Sequence, residues 1–233
     1  MVVLDIETIA NKNNNGYLSY KFASIQAPSN YKNQEAIDNY ISKEKAKLFE
    51  KMALSPLTGR ILTVGLLSDS PIPNADTVQI YDKQLHCIVA GLDGKDEKQI
   101  VEWTLDMLND LYQDGHSLIT YNGKKFDIPY IIQRAIILGI KKPEHFPSFD
   151  QLCGKYNNRT HFDLFQMLNP NYGDFSTLKE WSYILGHTDS IQDGGNMVDS
   201  MFEEGRYEEI KEYNKQDLYK TYMLFESVKE YML

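Results

Sequence analysis

Residues 2 to 7, Val2-Val3-Leu4-Asp5-Ile6-Glu7, run three apolar side chains straight into two acids set one residue apart. A continuous apolar run bounded in this way predicts a strand buried on both faces, which belongs at the centre of an α/β sheet. Alternate side chains of a strand share a face, so Asp5 and Glu7 project together and Ile6 opposes them. Two neighbouring carboxylates repel one another, and one resists ionisation unless a cation relieves the pair. The pair is therefore either a solvated strand end or part of a site for a hard divalent ion such as magnesium, which takes oxygen ligands. The remainder of the chain decides between the two.

Further strands are predicted at 60–67, 78–81 and 117–121, with a short one at 161–165 leading into a helix. Between and after them, apolar residues recur at helical spacing over 34–54, 96–112 and from Arg206 onward. A helix also follows Asn122-Gly123, with Pro129 in its first turn and Gly139 at its end. Thr177 and Glu180 predict a capping box for a helix that stops at Gly186. Residues 11–32 are polar and rich in Asn, which predicts a loop. Strands interleaved with helices predict an α/β fold with one mixed sheet and helices on both faces. The expected organisation is a single domain over 1–233 carrying a helical insertion around 11–57.

Hydrophobic residues make up 42% of the 233, enough for a core and too many for a disordered chain. No run of eighteen apolar residues occurs, so no membrane association is expected. Asp5 and Glu7 fall where a signal peptide needs an apolar stretch, and Cys87 and Cys153 form neither a disulfide framework nor a metal spacing. A reduced, cytoplasmic setting is the expectation. The net charge of −9 argues against a protein that coats nucleic acid non-specifically, while leaving room for a cleft that holds a few nucleotides.

Two more stretches carry acids. In Tyr121-Asn122-Gly123-Lys124-Lys125-Phe126-Asp127, Asp127 stands at a helix start, where it is either an N-cap or a ligand. In Tyr213-Asn214-Lys215-Gln216-Asp217, Tyr213 and Asp217 lie four apart and share a helix face.

Taken together, Asp-x-Glu on a strand, Asn-x-x-x-Phe-Asp at a strand–helix junction and Tyr-x-x-x-Asp on a late helix resemble the three motifs of the DEDD superfamily of 3′–5′ exonucleases, in the branch with a third-motif tyrosine. Arg159-Thr160-His161-Phe162-Asp163-Leu164, the 176–186 helix and Asp193-Gly194-Gly195 before Val198 look like the predicted 3′–5′ exonucleases related to the proofreading domain of family B DNA polymerases. The likeness spans most of the chain except residues 11–57. It implies a ribonuclease H-like fold with a five-stranded mixed sheet. It further implies that Asp5, Glu7, Asp127 and Asp217 hold two Mg²⁺ or Mn²⁺ ions. By that likeness Asp5 bridges both ions, Glu7 and Asp217 hold the ion carrying the attacking water, Asp127 serves the second, and Tyr213 orients or deprotonates the water.

Thr8, Asn122, Phe126 and Lys124 are implied substrate contacts, with Lys125, Lys155 and Arg159 as further candidates for phosphates. For Phe126, stacking on a base and packing beneath the site stay equally open. Asp163 is read mainly as a supporting residue. The implied activity is two-metal hydrolysis of single-stranded DNA from 3′ ends to nucleoside monophosphates, in repair or proofreading, alone or with a polymerase or repair partner. Trimming of RNA 3′ ends and silent nucleic-acid binding are the alternatives. Zinc is not expected, because no Cys/His cluster is present.

Overall fold

A computed structural model describes residues 1–12, 15–169, 175–188 and 197–232. Two compact units divide the chain: Met1–Glu7 with Ile61–Leu233, and Thr8–Arg60. The Asp193-Gly194-Gly195 stretch lies outside the described residues.

Among the described residues six strands form one sheet: β1 (Val2–Ala10), β2 (Gly59–Ser68), β3 (Asp76–Ile80), β4 (Lys83–Ala90), β5 (Leu118–Thr120) and β6 (His161–Asp163), in the order β3-β4-β2-β1-β5-β6. β1 is interior, as its apolar run requires. It pairs in parallel with β5, Val2 opposite Leu118 and Val3 opposite Ile119, and β5 pairs in parallel with β6. β4 runs antiparallel to both β2 and β3.

The sixth strand corrects the expected count of five. β4 follows β3 through a two-residue turn, with Ile80 opposite Lys83. Tyr81 in that turn has φ +55°, a conformation usually supplied by Asn or Gly. The hairpin therefore lacks the residue pair that would mark it in the sequence.

Two apolar layers cover the sheet of the first unit. Val2, Leu4 and Ile6 point to one face, where Ile100, Val101, Leu105 and Leu108 of α3 (Glu97–Gln113) and Ile128 and Ile131 of α4 (Asp127–Ile137) complete the core. Val3 points to the other face, which Leu218, Tyr222, Leu224 and Phe225 of α9 (Tyr207–Met232) cover. Strand alternation thus sets Asp5 and Glu7 on the α9 side. α3 starts with a capping box between Asp96 and Gln99.

Among the shorter helices, α5 (Phe149–Cys153), α6 (Leu164–Leu168) and α8 (Val198–Glu203) connect elements, and α7 (Leu178–Ile184) carries the predicted Thr177/Glu180 capping box. No helix among the described residues is long and apolar enough to cross a membrane.

Arg134 of α4 and Glu97 of α3 form a buried ion pair at 2.6 Å, their side chains 4% and 9% exposed. Glu97 also accepts the backbone N–H of Ile61 at 2.8 Å. Glu97→Ala leaves a buried guanidinium and an amide without this acceptor. The expected cost is about 3–5 kcal/mol, read from chemical denaturation. A loss below about 1 kcal/mol would mean that the pair is solvated.

In the Thr8–Arg60 unit, α1 (Asn15–Ala23) occupies part of the segment expected to be a loop. Packing explains it: Leu18 is buried, and the Phe22 ring lies 5.0 Å from that of Phe49. These contacts outweigh the weak helical preference of an Asn-rich stretch. α2 (Gln34–Glu50) begins at Asn33, whose side chain accepts the Glu35 N–H, and none of its residues is fully buried. Asn11 N–H donates to Thr58 C=O at 2.8 Å near the ends of the unit.

Candidate metal centre and active site

β1 supplies Asp5 and Glu7, and α9 supplies Asp217. One carboxylate oxygen from each lies within 4.8 Å of the other two. Gly65 on β2 permits this approach. A side chain there would come within 2.6 Å of Asn214 Oδ1 and 2.8 Å of Leu218 Cδ1, both on α9. The close approach sets Asn214 against Asp5, and Asn214 Nδ2 donates to Asp5 Oδ2 at 2.5 Å. Asn214 Oδ1 is buried with no partner. Lys220, one turn beyond Asp217, donates to Asp217 Oδ1 at 2.9 Å.

Asp127 is the first residue of α4. Phe126 holds the N-cap position and makes no side-chain cap bond, so Asp127 does not cap the helix. Its Oδ1 accepts the backbone N–H of Ile6 at 3.2 Å, which fixes it between Asp5 and Glu7 along β1. Asp163 holds the nearby turn. Its Oδ1 accepts from Asn122 N–H and its Oδ2 from Lys124 N–H, both at 2.9 Å. That turn places Asn122 at φ +70°, which an Asn tolerates.

Beneath the turn, the buried His161 ring bridges Thr120 Oγ1 at 2.7 Å and Leu152 C=O at 2.5 Å. Burial lowers its pKa to about 4. A neutral ring donates from Nδ1 to the carbonyl and accepts from the threonine hydroxyl, which in turn takes the Gly123 N–H.

Electrostatically the cluster is strained without a counter-charge. Burial, then Glu7, Asp127 and Asp217, push the Asp5 pKa well above the carboxylate range, and Asn214 opposes this. Burial, then Asp217 and Asp127, do the same to Glu7, opposed by Lys179 of α7. Burial raises Asp127 to about 7. The half-buried Tyr213 phenol is pushed far above its usual value by desolvation and then by Asp217, Glu7 and Asp5. Lys179 Nζ sits 5.3 Å from the centre of the Tyr213 ring. An all-oxygen set that resists collective ionisation suits a hard divalent cation.

A carboxyl whose pKa is higher folded than unfolded stabilises the fold while protonated. That contribution is complete below about pH 4 and is lost as pH rises through the folded value. Metal-free protein should therefore melt at progressively lower temperature from about pH 5 to about pH 8. Mn²⁺ should raise the melting temperature at the upper end and much less at the lower. Asp127→Asn should flatten the metal-free trend. An unchanged slope in that variant would contradict the assignment.

Asn122 lines a cavity of about 500 Å³ that also includes Asp217, Tyr121 and Lys179. Phe126 is half-buried against the α3/α4 core, its ring 5.4 Å from that of Tyr130. Lys124 is buried, and its Nζ donates to Asn157 C=O at 3.0 Å and Asn158 Oδ1 at 2.8 Å. Thr8 follows Glu7 in β1 and belongs to the other unit.

Sequence reasoning missed Asn214, Lys179 and Gly65. Asn214 had a usable signal, since it precedes Asp217 by three on the same helix and so shares its face. Lys179 and Gly65 carry no local mark and acquire meaning only through packing.

Comparison with known proteins agrees with this architecture. DNA polymerases of Thermococcus aggregans and Thermococcus litoralis are each 30% identical over 125 residues, 48% of this chain and 7% of theirs. A Pyrococcus horikoshii DNA polymerase is 32% identical over 80 residues, 31% of this chain and 6% of its own. The chain thus spans a small fraction of these relatives. The solved family B DNA polymerase of Pyrobaculum calidifontis superposes with a TM-score of 0.57 at 15% identity, covering 97% of this chain and 24% of that one. This likeness is one of fold. A family model described as "Predicted 3'-5' exonuclease related to the exonuclease domain of PolB" matches residues 74–232, which include Asp127, Tyr213 and Asp217 and begin after Asp5 and Glu7. Matched over more than half its length, the chain belongs to this family of predicted 3′–5′ exonucleases.

Proposed function

We propose that the protein is a divalent-metal-dependent 3′–5′ exonuclease that releases nucleoside monophosphates from single-stranded DNA. The observation that carries this reading is the convergence of Asp5, Glu7 and Asp217 within 4.8 Å, with Asp127 beside them. Family membership supports the reaction class. The similarity to DNA polymerases favours DNA over RNA.

Asp5, Glu7 and Asp217, with Asp127, would hold the metal. Two Mg²⁺ or Mn²⁺ ions, when bound, lower the pKa of water and stabilise charge on the phosphoryl and leaving oxygens. Asn214 fixes the Asp5 carboxylate, and Lys220 fixes that of Asp217. Tyr213, kept neutral by desolvation and by the acids around it, is a hydrogen-bond donor that orients the attacking water. Lys179 faces Glu7 and Tyr213 and offsets the acidic field. The cavity lined by Asn122, Tyr121 and Lys179 receives the terminal nucleotide. The chain is read as one nuclease domain over 1–233 that carries a helical insertion around 11–57.

The test gives purified protein 3′- and 5′-labelled single-stranded DNA and RNA, with Mg²⁺ or Mn²⁺. Release of labelled mononucleotide from the 3′-labelled DNA, and a descending ladder from the 5′-labelled DNA, is expected. Faster attack on RNA would reassign the substrate, and no metal-dependent product would remove the proposal.

A further inference from the structure

We propose that the Thr8–Arg60 unit, which carries none of the four clustered acids, is itself a docking surface for the sugar–phosphate backbone of single-stranded DNA. The choice of a strand as occupant rests on the exonuclease reading; the charge of the unit does not. The matched family model starts at residue 74, beyond this unit, so the family likeness leaves its role open.

Charge singles the unit out. Residues 8–60 hold seven lysines and one arginine against four acids, a net +4. The whole chain carries −9, so the other residues together carry −13. An acidic body repels a polyanion over about 10 Å at ordinary salt, and a basic one draws it in. Capture on the basic unit makes the later encounter with the acidic site intramolecular, which raises the effective concentration of substrate.

The lysines are gathered around one cavity. Tyr40, Glu44, Lys47 and Lys51 recur at helical spacing along α2 and its C-cap, and they line a cavity of about 470 Å³. Lys21 of α1 lines it too. Cations at a helix C-terminus complement the helix dipole, which accounts for Lys47 and Lys51 but not for Lys21 on another helix. The acid in the lining is Glu44, which Lys47 neutralises at 2.6 Å. Lys51 is exposed, and Lys21 Nζ sits 5.6 Å from the centre of the Tyr17 ring, a weak contact that leaves its charge available.

Rings stand among these charges. Those of Tyr17 and Tyr20 stack at 29°, 6.4 Å apart, and Tyr20 is 68% exposed. Tyr31 and Tyr40 pack with ring centres 5.4 Å apart. Bases stack on such faces whatever the sequence, which suits an exonuclease, and an acidic peptide offers no base for them.

The test follows the anisotropy of a 5′-labelled thymidine oligonucleotide of about twenty residues with the full chain in EDTA, where metal-dependent cutting is suppressed. The log–log salt slope should fall by about 2 in Lys21→Ala/Lys47→Ala/Lys51→Ala, three contacts at about 0.7 each. Affinity should drop on the order of a hundredfold at about 50 mM salt and only a few-fold at about 0.5 M. Lys21→Arg/Lys47→Arg/Lys51→Arg should bind as the wild type does, which separates lost charge from lost fold. Polyglutamate of matched charge should compete about tenfold more weakly than unlabelled strand, because it cannot stack. Equal slopes for wild type and the alanine variant, or no binding by the wild type, would overturn the proposal. Equal competition by polyglutamate would also overturn it, in favour of an acidic protein as the occupant. Lysine-dependent binding by a protein that cuts nothing with Mn²⁺ would defeat the nuclease reading alone and uphold the docking surface.

Discussion

Asp5→Asn should lower turnover by on the order of 10³-fold or more, measured as mononucleotide release with saturating Mn²⁺. The position explains the size of the effect. Burial and then the charges of Glu7, Asp127 and Asp217 raise the Asp5 pKa, so Asp5 is coupled to each of the other three acids. Asn214 already donates to one of its oxygens at 2.5 Å. The substitution removes a charge and sets two amides against each other, while the strand keeps its size and its pairing. The fold should survive, and its metal-free stability should rise, because one source of repulsion is gone. Retained activity within tenfold of the wild type would mean that the chemistry lies elsewhere.

Tyr213→Phe should cost roughly 10²–10⁴ in kcat with little change in KM. The phenol is half-buried beside three acids, and desolvation and their charge hold it neutral. Its value is then a directed O–H group next to Asp217, which Phe cannot supply while filling the same space. The pH profile adds a check. A residue that only donates leaves the shape of the profile unchanged, whereas a general base removes an ionisation from it. Unaltered kcat would take Tyr213 out of the reaction and reduce it to packing against Lys179.

Much of this site was legible in the sequence because its acids sit on regular elements. The i, i+2 rule put Asp5 and Glu7 on one strand face, and the i, i+4 rule put Tyr213 and Asp217 on one helix face. The apolar run at residues 2–4 correctly implied an interior strand. Three features were hidden, each for a physical reason. β4 was missed because Tyr81 adopts a left-handed turn that the sequence does not announce. α1 was read as loop because Asn-rich composition outweighed a helix whose support comes from the burial of Leu18 and the Phe22–Phe49 contact. Asn214, Lys179 and Gly65 depend on how closely α9 and α7 approach the sheet, which no spacing rule encodes. Asp127 shows the opposite case. Its position at a helix start left an N-cap open, yet its carboxylate turns to the Ile6 amide, because β1 brings that donor within reach.

Calorimetric titration of Mn²⁺ into the metal-free protein tests most directly whether these carboxylates together bind divalent metal. Because Asp5, Glu7 and Asp127 have raised pKa values, binding near pH 7 must displace protons, so the heat should vary with the ionisation enthalpy of the buffer. Saturable binding with net proton release, competed by Mg²⁺ and abolished in Asp5→Asn, is the predicted result. Equal Mn²⁺ binding by wild type and Asp5→Asn, with no proton release in either, would contradict it.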